Sequence, residues 1–97
     1  MSNTEPRIAG CVHIRPLPYV ISTCHGDRTV LLNAHTGRYY TLNAAGGDVW
    51  AGLCAEQSRN MIVSQLADRY GVSTDTVLTD VDKLLSRLLA AALIECQ

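Results

Sequence analysis

Thiol and imidazole groups are the side chains of this sequence that could bind a metal ion or act as nucleophiles. The four cysteines, Cys11, Cys24, Cys54 and Cys96, lie far apart and include no C-x-x-C pair. Cys24 precedes His25, but neighbours in a strand point to opposite faces, which disfavours joint ligation of a metal. No base or oxyanion hole accompanies a cysteine. The pattern therefore predicts free thiols in a reducing compartment, with no metal, no cofactor and no catalysis.

The backbone offers a second kind of chemistry within residues 30–50, VLLNAHTGRYYTLNAAGGDVW. Two short apolar runs meet across a turn that contains Gly37, and the second run ends at Asn43, a residue type that caps helices. If the second strand, Arg38–Leu42, has no further neighbour in the chain, its free N–H and C=O groups are a template for another peptide. This edge is the first candidate for a binding site.

The size and charge of the chain exclude several classes of function. With 97 residues and 47% hydrophobic content, the chain can form one domain with a modest core. The 8 basic and 9 acidic side chains give a formal charge of -1, so no global field attracts nucleic acid or an anionic membrane. No apolar run approaches the roughly 20 residues that span a bilayer, and the polar start lacks a signal-peptide core. We expect a cytoplasmic protein without a membrane partner.

The elements that would position the edge follow from the hydrophobic pattern. Residues 1–18 hold all 3 prolines and show no sustained period, which predicts a flexible N-terminal arm before a domain at residues 19–97. An antiparallel meander of three strands is predicted at residues 19–24, 29–33 and 38–42. Three helices are then predicted at residues 44–56, 58–70 and 74–91, followed by a short closing strand at residues 93–95.

Two apolar stripes run along the third predicted helix. One stripe comprises Val77, Val81, Leu84 and Leu88, and the other comprises Leu78, Leu85, Leu89 and Ala92. A surface helix of a small domain needs one such stripe, so the second should meet the sheet, another helix or a partner. Together the elements predict an α+β fold of the winged helix-turn-helix type, with a three-stranded antiparallel sheet followed by three helices.

A winged helix suggests DNA binding, and the charges on the third helix weigh against it. That helix carries three acids and two bases: Asp75, Asp80, Asp82, Lys83 and Arg87. A DNA-recognition helix should instead direct basic or amide side chains into the major groove. In the competing hypothesis an extended peptide adds to Arg38–Leu42 as a strand, and its alternate side chains enter apolar pockets beside the helix. Peptide binding is the primary hypothesis, and a DNA-binding winged helix is the alternative.

The block at residues 30–50 is followed by LADRYGVS, DVDKLLSRL and the terminal LIE. Over residues 19–95 the chain resembles the PqqD-like family, and more narrowly the small stand-alone members that serve lasso peptide biosynthesis. The resemblance implies a RiPP recognition element, a non-catalytic winged-helix module that binds the leader of a ribosomally made precursor peptide. It also implies two protein partners, a leader peptidase that receives the precursor and a lasso cyclase that acts afterwards. The charges of the third helix predict no nucleic acid partner.

The resemblance further implies where the leader would bind. In the family the leader forms a strand against the third strand and lies in the cleft before the third helix. On this sequence the strand residues are Arg38, Tyr39, Tyr40, Thr41 and Leu42. The helix residues are Val77, Asp80, Val81, Leu84, Arg87 and Leu88.

The end of the third helix departs from the family pattern. Relatives show glycine before the final apolar pair, whereas this chain has Ala91, Ala92 and Leu93. Glycine is the residue that most readily adopts the left-handed conformation that stops a helix. Its absence predicts that the helix can run one turn further.

Overall fold

Three antiparallel strands followed by three helices dominate the structure, a computed structural model that describes residues 13–96. The elements are β1 (Ile14–Pro16), β2 (Val20–His25), β3 (Arg28–Asn33), β4 (Arg38–Leu42), α1 (Ala44–Cys54), α2 (Arg59–Tyr70), α3 (Thr74–Ala90) and β5 (Ile94–Cys96). This is the predicted α+β arrangement, and the three main strands and three helices lie within a few residues of their predicted bounds.

The main sheet has the order β2-β3-β4, so β4 is an edge strand. The β2-β3 hairpin turns at Gly26 and the β3-β4 hairpin turns at Gly37, with φ of 63° and 75°. Glycine adopts this left-handed backbone without a steric penalty, which explains both tight reversals. The register places Leu31 opposite Tyr40 and Thr29 opposite Leu42. The predicted meander is therefore confirmed, and one side of β4 has no partner strand among residues 13–96.

A second, two-stranded sheet joins the ends of the described chain. Here β1 pairs antiparallel with β5, with Arg15 opposite Glu95, and the Arg15 Nε lies 2.6 Å from the Glu95 Oε2. The prediction of a flexible arm over residues 1–18 is therefore wrong for Ile14–Pro16, which form a paired strand. The rest of that prediction, residues 1–12, lies outside the described residues.

Polar caps define where the helices begin. The Asn43 Oδ1 accepts the Gly46 N–H at 2.8 Å, and the Ser58 Oγ accepts the Met61 N–H at 3.1 Å. Ser73 caps α3 in the same way. Each cap satisfies a backbone donor that the first turn leaves free. None of these helices in residues 13–96 combines the length and the apolar character that crossing a bilayer requires.

Close packing of α1 on the sheet requires the two glycines of its first turn, Gly46 and Gly47. A Cβ at Gly47 would lie 2.7 Å from the Thr29 Oγ1, and one at Gly46 would lie 3.2 Å from the Leu42 Cβ. Because glycine has no Cβ, the backbone of α1 can approach Thr29 and Leu42 closely. This packing offsets the low helix propensity of glycine. The start of α1 is thereby fixed against β3 and β4.

The core lies between the inner face of the sheet and the three helices. Its buried apolar members are Leu31, Leu42, Val49, Trp50, Leu53, Ile62, Val63, Leu66, Val77, Val81, Leu85, Leu88, Leu93 and Ile94. The helix α1 contributes Val49, Trp50 and Leu53 to it. The buried residues of α3 come from both predicted stripes, because the helix packs on α2, on α1 and on β5 together.

The predicted extension of α3 is wrong, because the helix ends at Ala90 although glycine is absent. Ala92 itself adopts the left-handed conformation, with φ of 58°. The Leu93 N–H bonds to the Leu88 O at 3.0 Å and the Ala92 N–H to the Leu89 O at 3.1 Å, the pattern of a Schellman motif. Two distant side chains hold this turn: the Asn33 Nδ2 donates to the Ala91 O and the Tyr19 OH donates to the Ala92 O.

Replacing Ala92 by glycine should raise the free energy of unfolding by about 0.5–1 kcal/mol. Relief of the left-handed strain gives about 1–2 kcal/mol, partly offset by the larger unfolded-state entropy of glycine. Urea denaturation followed by the fluorescence of Trp50, the single tryptophan, measures the change. Ala91→Gly is the matched control: Ala91 has φ of -84°, so glycine there should lower stability. Equal effects at both positions would contradict the strain at Ala92.

The cysteines differ from the prediction at one position. Cys96 is disulfide-bonded, so the prediction of a free thiol is wrong there, whereas Cys24 and Cys54 are free and Cys11 lies outside the described residues. The spacing of the cysteines did not reveal the bond, because spacing identifies only local C-x-x-C pairs. Desolvation raises the pKa of the Cys54 thiol.

Candidate functional site

The free edge of β4 presents the backbone groups of Tyr39 and Thr41. At the end of β3, the Ala34 N–H points to β2 and bonds the Tyr19 O, and the Asn33 O points to the β4 side and accepts the Gly37 N–H. Successive residues of a strand direct their backbone groups to opposite sides. With the observed register, Arg38, Tyr40 and Leu42 therefore bond to β3, and Tyr39 and Thr41 face away from it.

The side chains of β4 alternate as the sequence predicts. Leu42 is buried in the core and Tyr40 is half-buried against it. Tyr39 lies on the outer face of the sheet and is 70% exposed. Thr41 is also exposed, and it lies where the edge of β4 meets a cleft. The edge is therefore accessible both in its backbone and in the side chains beside it.

A cleft of about 500 Å³ lies next to this edge, between the end of β4, the start of α1, the end of α2 and one side of α3. Most of its wall is apolar. The lining residues are Thr41, Leu42, Asn43, Ala45, Gly46, Val49, Leu66, Tyr70, Val72, Thr76, Val77, Asp80, Val81, Lys83, Leu84 and Arg87. The volume is that of a site for several side chains of a ligand, and the cleft is open to solvent.

Local structure fixes the wall opposite α3. The capped first turn of α1 brings Gly46 and Val49 to the cleft, and the end of α2 brings Tyr70. The Tyr70 OH donates to the Asp48 Oδ2 at 2.8 Å, and the Arg69 Nη1 lies 3.0 Å from the same oxygen. The hydrogen bond to Asp48 raises the pKa of the Tyr70 phenol. The two helices are thus tied together at the border of the cleft.

Seven of the eleven residues proposed from the family resemblance line this cleft: Thr41, Leu42, Val77, Asp80, Val81, Leu84 and Arg87. The other four lie elsewhere. Leu88 lies in the core without reaching the cleft, and Arg38, Tyr39 and Tyr40 do not line the cleft, although they belong to the edge strand. Leu84 and Leu88 belong to the same apolar stripe of the sequence. The stripe does not show which of the two lies in the cleft and which in the core, because one face of a helix can contact both.

Several lining residues were not predicted. Those from α2 and the turn after it are Leu66, Tyr70 and Val72, those from the start of α1 include Val49, and α3 adds Lys83. The four-residue spacing of Leu66 and Tyr70 indicated one face of α2, but the sequence did not show that this face reaches the cleft. The position of Lys83, one turn before Arg87, was a usable signal.

The charged residues of the cleft all come from α3. Lys83 and Arg87 are exposed, and within residues 13–96 neither makes an ion pair, in contrast to Arg15, Arg59 and Arg69. Asp80 is the single acid of the lining. The ion pair between Asp80 and Lys83 that helix spacing allows is not formed. The cleft therefore combines an apolar wall with two cations that have no ion-pair partner within residues 13–96.

This arrangement suits an extended chain better than a compact ligand. A strand laid along β4 would meet the free N–H and C=O groups of Tyr39 and Thr41, and every second side chain would point towards the core side of the sheet. The cleft lies on that side, as the burial of Leu42 shows. Backbone groups and apolar wall are thus presented side by side.

Comparisons with known proteins agree with this fold. The family model described as coenzyme PQQ synthesis protein D (PqqD) matches residues 28–94. A structure described as TbiB1 in complex with the TbiA(beta) leader peptide is 31% identical, with 84% of this chain and 94% of that chain covered and a TM-score of 0.81. A structure described as lasso peptide synthetase B1 complexed with the leader peptide is 20% identical, covers 87% and 99% of the two chains, and has a TM-score of 0.80.

A comparison with curated protein sequences gives no match. The family match spans β3 to β5, which includes the edge strand, all three helices and every residue that lines the cleft. The two solved structures extend the likeness over nearly their full lengths. The chain belongs to the PqqD family and has the fold of a PqqD-like RiPP recognition element.

Proposed function

We propose that this protein binds the leader region of a ribosomally made precursor peptide by strand addition to β4. One observation carries the proposal: the free backbone edge at Tyr39 and Thr41 lies beside an apolar cleft. Main-chain hydrogen bonds would supply affinity for any extended segment, and the cleft would select side chains. The free edge would otherwise be a liability for aggregation.

The solved relatives support the ligand class. TbiB1, at 31% identity, is described in complex with the TbiA(beta) leader peptide, and the lasso peptide synthetase B1 structure also holds a leader peptide. The residues of this chain that would contact the leader are those where edge and cleft meet: Tyr39, Thr41, Leu42, Val77, Asp80, Val81, Leu84 and Arg87. Arg38 and Tyr40 would support the strand, and Leu88 would support the cleft from the core.

The same proposal makes the protein an adaptor without chemistry of its own. It would hold a lasso precursor and deliver it to a leader peptidase, with a cyclase acting afterwards. Neither of the described free cysteines, Cys24 or Cys54, lies in the cleft, and none of residues 13–96 form a group of three or more candidate metal ligands. The cleft residues are suited to hold a chain rather than to cleave it.

Titration of a fluorescein-labelled leader peptide with the full chain tests the proposal. The probes are the TbiA(beta) leader and the leader of the precursor encoded nearest to this gene. We expect a saturable rise in anisotropy with the second probe, and a weaker rise with the first because a 31%-identical relative binds it. Scrambled peptides of the same composition are the controls. Flat titrations with both leaders up to about 100 μM would contradict leader binding.

The same apparatus measures the alternative function, because a labelled duplex can replace the peptide. DNA binding would show a rise in anisotropy that falls steeply with added salt. Nothing in the described residues favours it, since the first turn of α3 carries Asp75 and the two cations of α3 line the cleft. We therefore expect no change with DNA.

A further inference from the structure

Lys83 and Arg87 form a cationic pair on the wall of the cleft. They lie four positions apart on α3, about one helical turn, and both side chains are exposed. Like charges at this spacing repel each other in a helix. Across residues 13–96, three of the arginines are neutralised by carboxylates: Arg15 by Glu95, Arg59 by Asp82 and Arg69 by Asp48. The pair in the cleft has no such compensation, so an anionic ligand group would relieve its repulsion.

The side-chain repeat of a bound strand is close to the rise of one turn of α3. Side chains on one face of a strand recur about every 6.6 Å, and one turn of helix rises about 5.4 Å. Successive inward side chains of a peptide that runs along α3 would therefore meet successive turns of that helix. One turn presents Val77 and Val81, and the turns after it present Leu84 with Lys83 and Arg87. An apolar side chain and an acidic one, two residues apart, would match this wall.

We propose that Lys83 and Arg87 select an aspartate or glutamate in the bound peptide, two positions from an apolar anchor. The inference rests on the proposed function, since it concerns the same cleft. It names the chemical class of the ligand: an extended peptide with the pattern apolar, any residue, acidic, in one chain direction or the other. Asp80 strengthens the selection, because it disfavours an acid at its own end of the cleft and confines the acid to the end with the cations.

A phage library of random 16-residue peptides tests the inference independently of any particular leader sequence. Three full-length baits are used: the wild type, the double variant K83E/R87E, and R28E. Arg28 is an exposed cation outside the cleft and serves as the matched control. We expect the wild type to recover peptides with at least about threefold enrichment of Asp and Glu at the second position from an apolar residue. R28E should retain this preference, and K83E/R87E should lose it or exchange it for Lys and Arg.

The outcomes separate the two proposals. If the wild type recovers extended apolar peptides without an acidic preference, the charge selection is overturned. The same holds if K83E/R87E recovers peptides with the same acidic preference as the wild type. Neither result contradicts strand addition to β4. Recovery of no peptide family by the wild type overturns both. Trp50 fluorescence in urea establishes that each bait is folded, and the neutral variant K83Q/R87Q replaces the reversal if K83E/R87E is not.

A recovered peptide synthesised with Glu, Gln or Lys at the selected position gives the quantitative form of the test. On the wild type we expect the Lys peptide to bind at least tenfold more weakly than the Glu peptide. On K83E/R87E the order should reverse. Additive effects of the protein and peptide changes, without this reversal, would overturn direct contact between the acid and the pair.

Discussion

Replacing Leu84 by aspartate is expected to weaken leader binding by about 30- to 150-fold. Leu84 is half-buried on the wall of the cleft, where an apolar ligand side chain would cover the rest of it. Loss of that contact and desolvation of a carboxylate beneath the ligand together cost about 2–3 kcal/mol, and each 1.4 kcal/mol is tenfold in Kd. Anisotropy titration with the labelled leader measures the loss.

Two further variants make the result specific to the cleft. Thr79→Asp adds the same charge to an exposed position of α3 outside the cleft, and its Kd should stay within about twofold of the wild type. Leu84→Ala removes part of the apolar contact without adding charge, so its loss should be smaller but in the same direction. A Leu84→Asp protein that is folded by Trp50 fluorescence and binds like the wild type would contradict the cleft as the leader site.

The second large effect is expected at Thr41, where proline should weaken leader binding about tenfold or more. Proline removes the N–H that faces the free edge, and its ring occupies the path of the added strand. The lost hydrogen bond contributes about 0.5–1.5 kcal/mol, and the steric conflict adds to it. The labelled leader again gives the Kd.

The opposite edge of the sheet supplies the matched control for Thr41→Pro. Ser22 lies opposite Leu31 on β2, and Leu31 directs its backbone groups to β4, so the Ser22 N–H faces away from β3 in the same way as that of Thr41. Ser22→Pro should therefore leave leader binding unchanged. Equal loss in both variants, or no loss in either, would contradict strand addition at β4.

Local sequence chemistry accounts for the parts of the fold that were predicted correctly. The turn at Gly37, the cap at Asn43 and the stop at Gly71, with φ of 65°, each depend on residues close together in the chain. The sequence also shows the charges of α3, and their excess of acids disfavours DNA binding. For this reason β4 was interpreted as one wall of a peptide site and not as the wing of a DNA-binding protein. Such features do not depend on tertiary contacts.

Contacts between distant residues account for what the sequence did not reveal. β1 forms because β5 returns beside it, with Arg15 and Glu95 paired across the chain. The left-handed Ala92 is stable because Tyr19 and Asn33 donate to the last carbonyls of that turn, and alanine alone would not predict it. The contribution of Tyr70 to the cleft depends in the same way on its bond to Asp48 in another helix.

Residue-resolved hydrogen exchange tests the central claim most directly. The amides of Tyr39 and Thr41 face the free edge of β4 and have no backbone partner within residues 13–96, so they should exchange fast in the free protein. With saturating leader peptide, NMR should show both amides protected, and the Ser22 amide on the opposite edge should exchange at its original rate. If Tyr39 and Thr41 exchange as fast in the bound protein as in the free one, the leader does not add to β4.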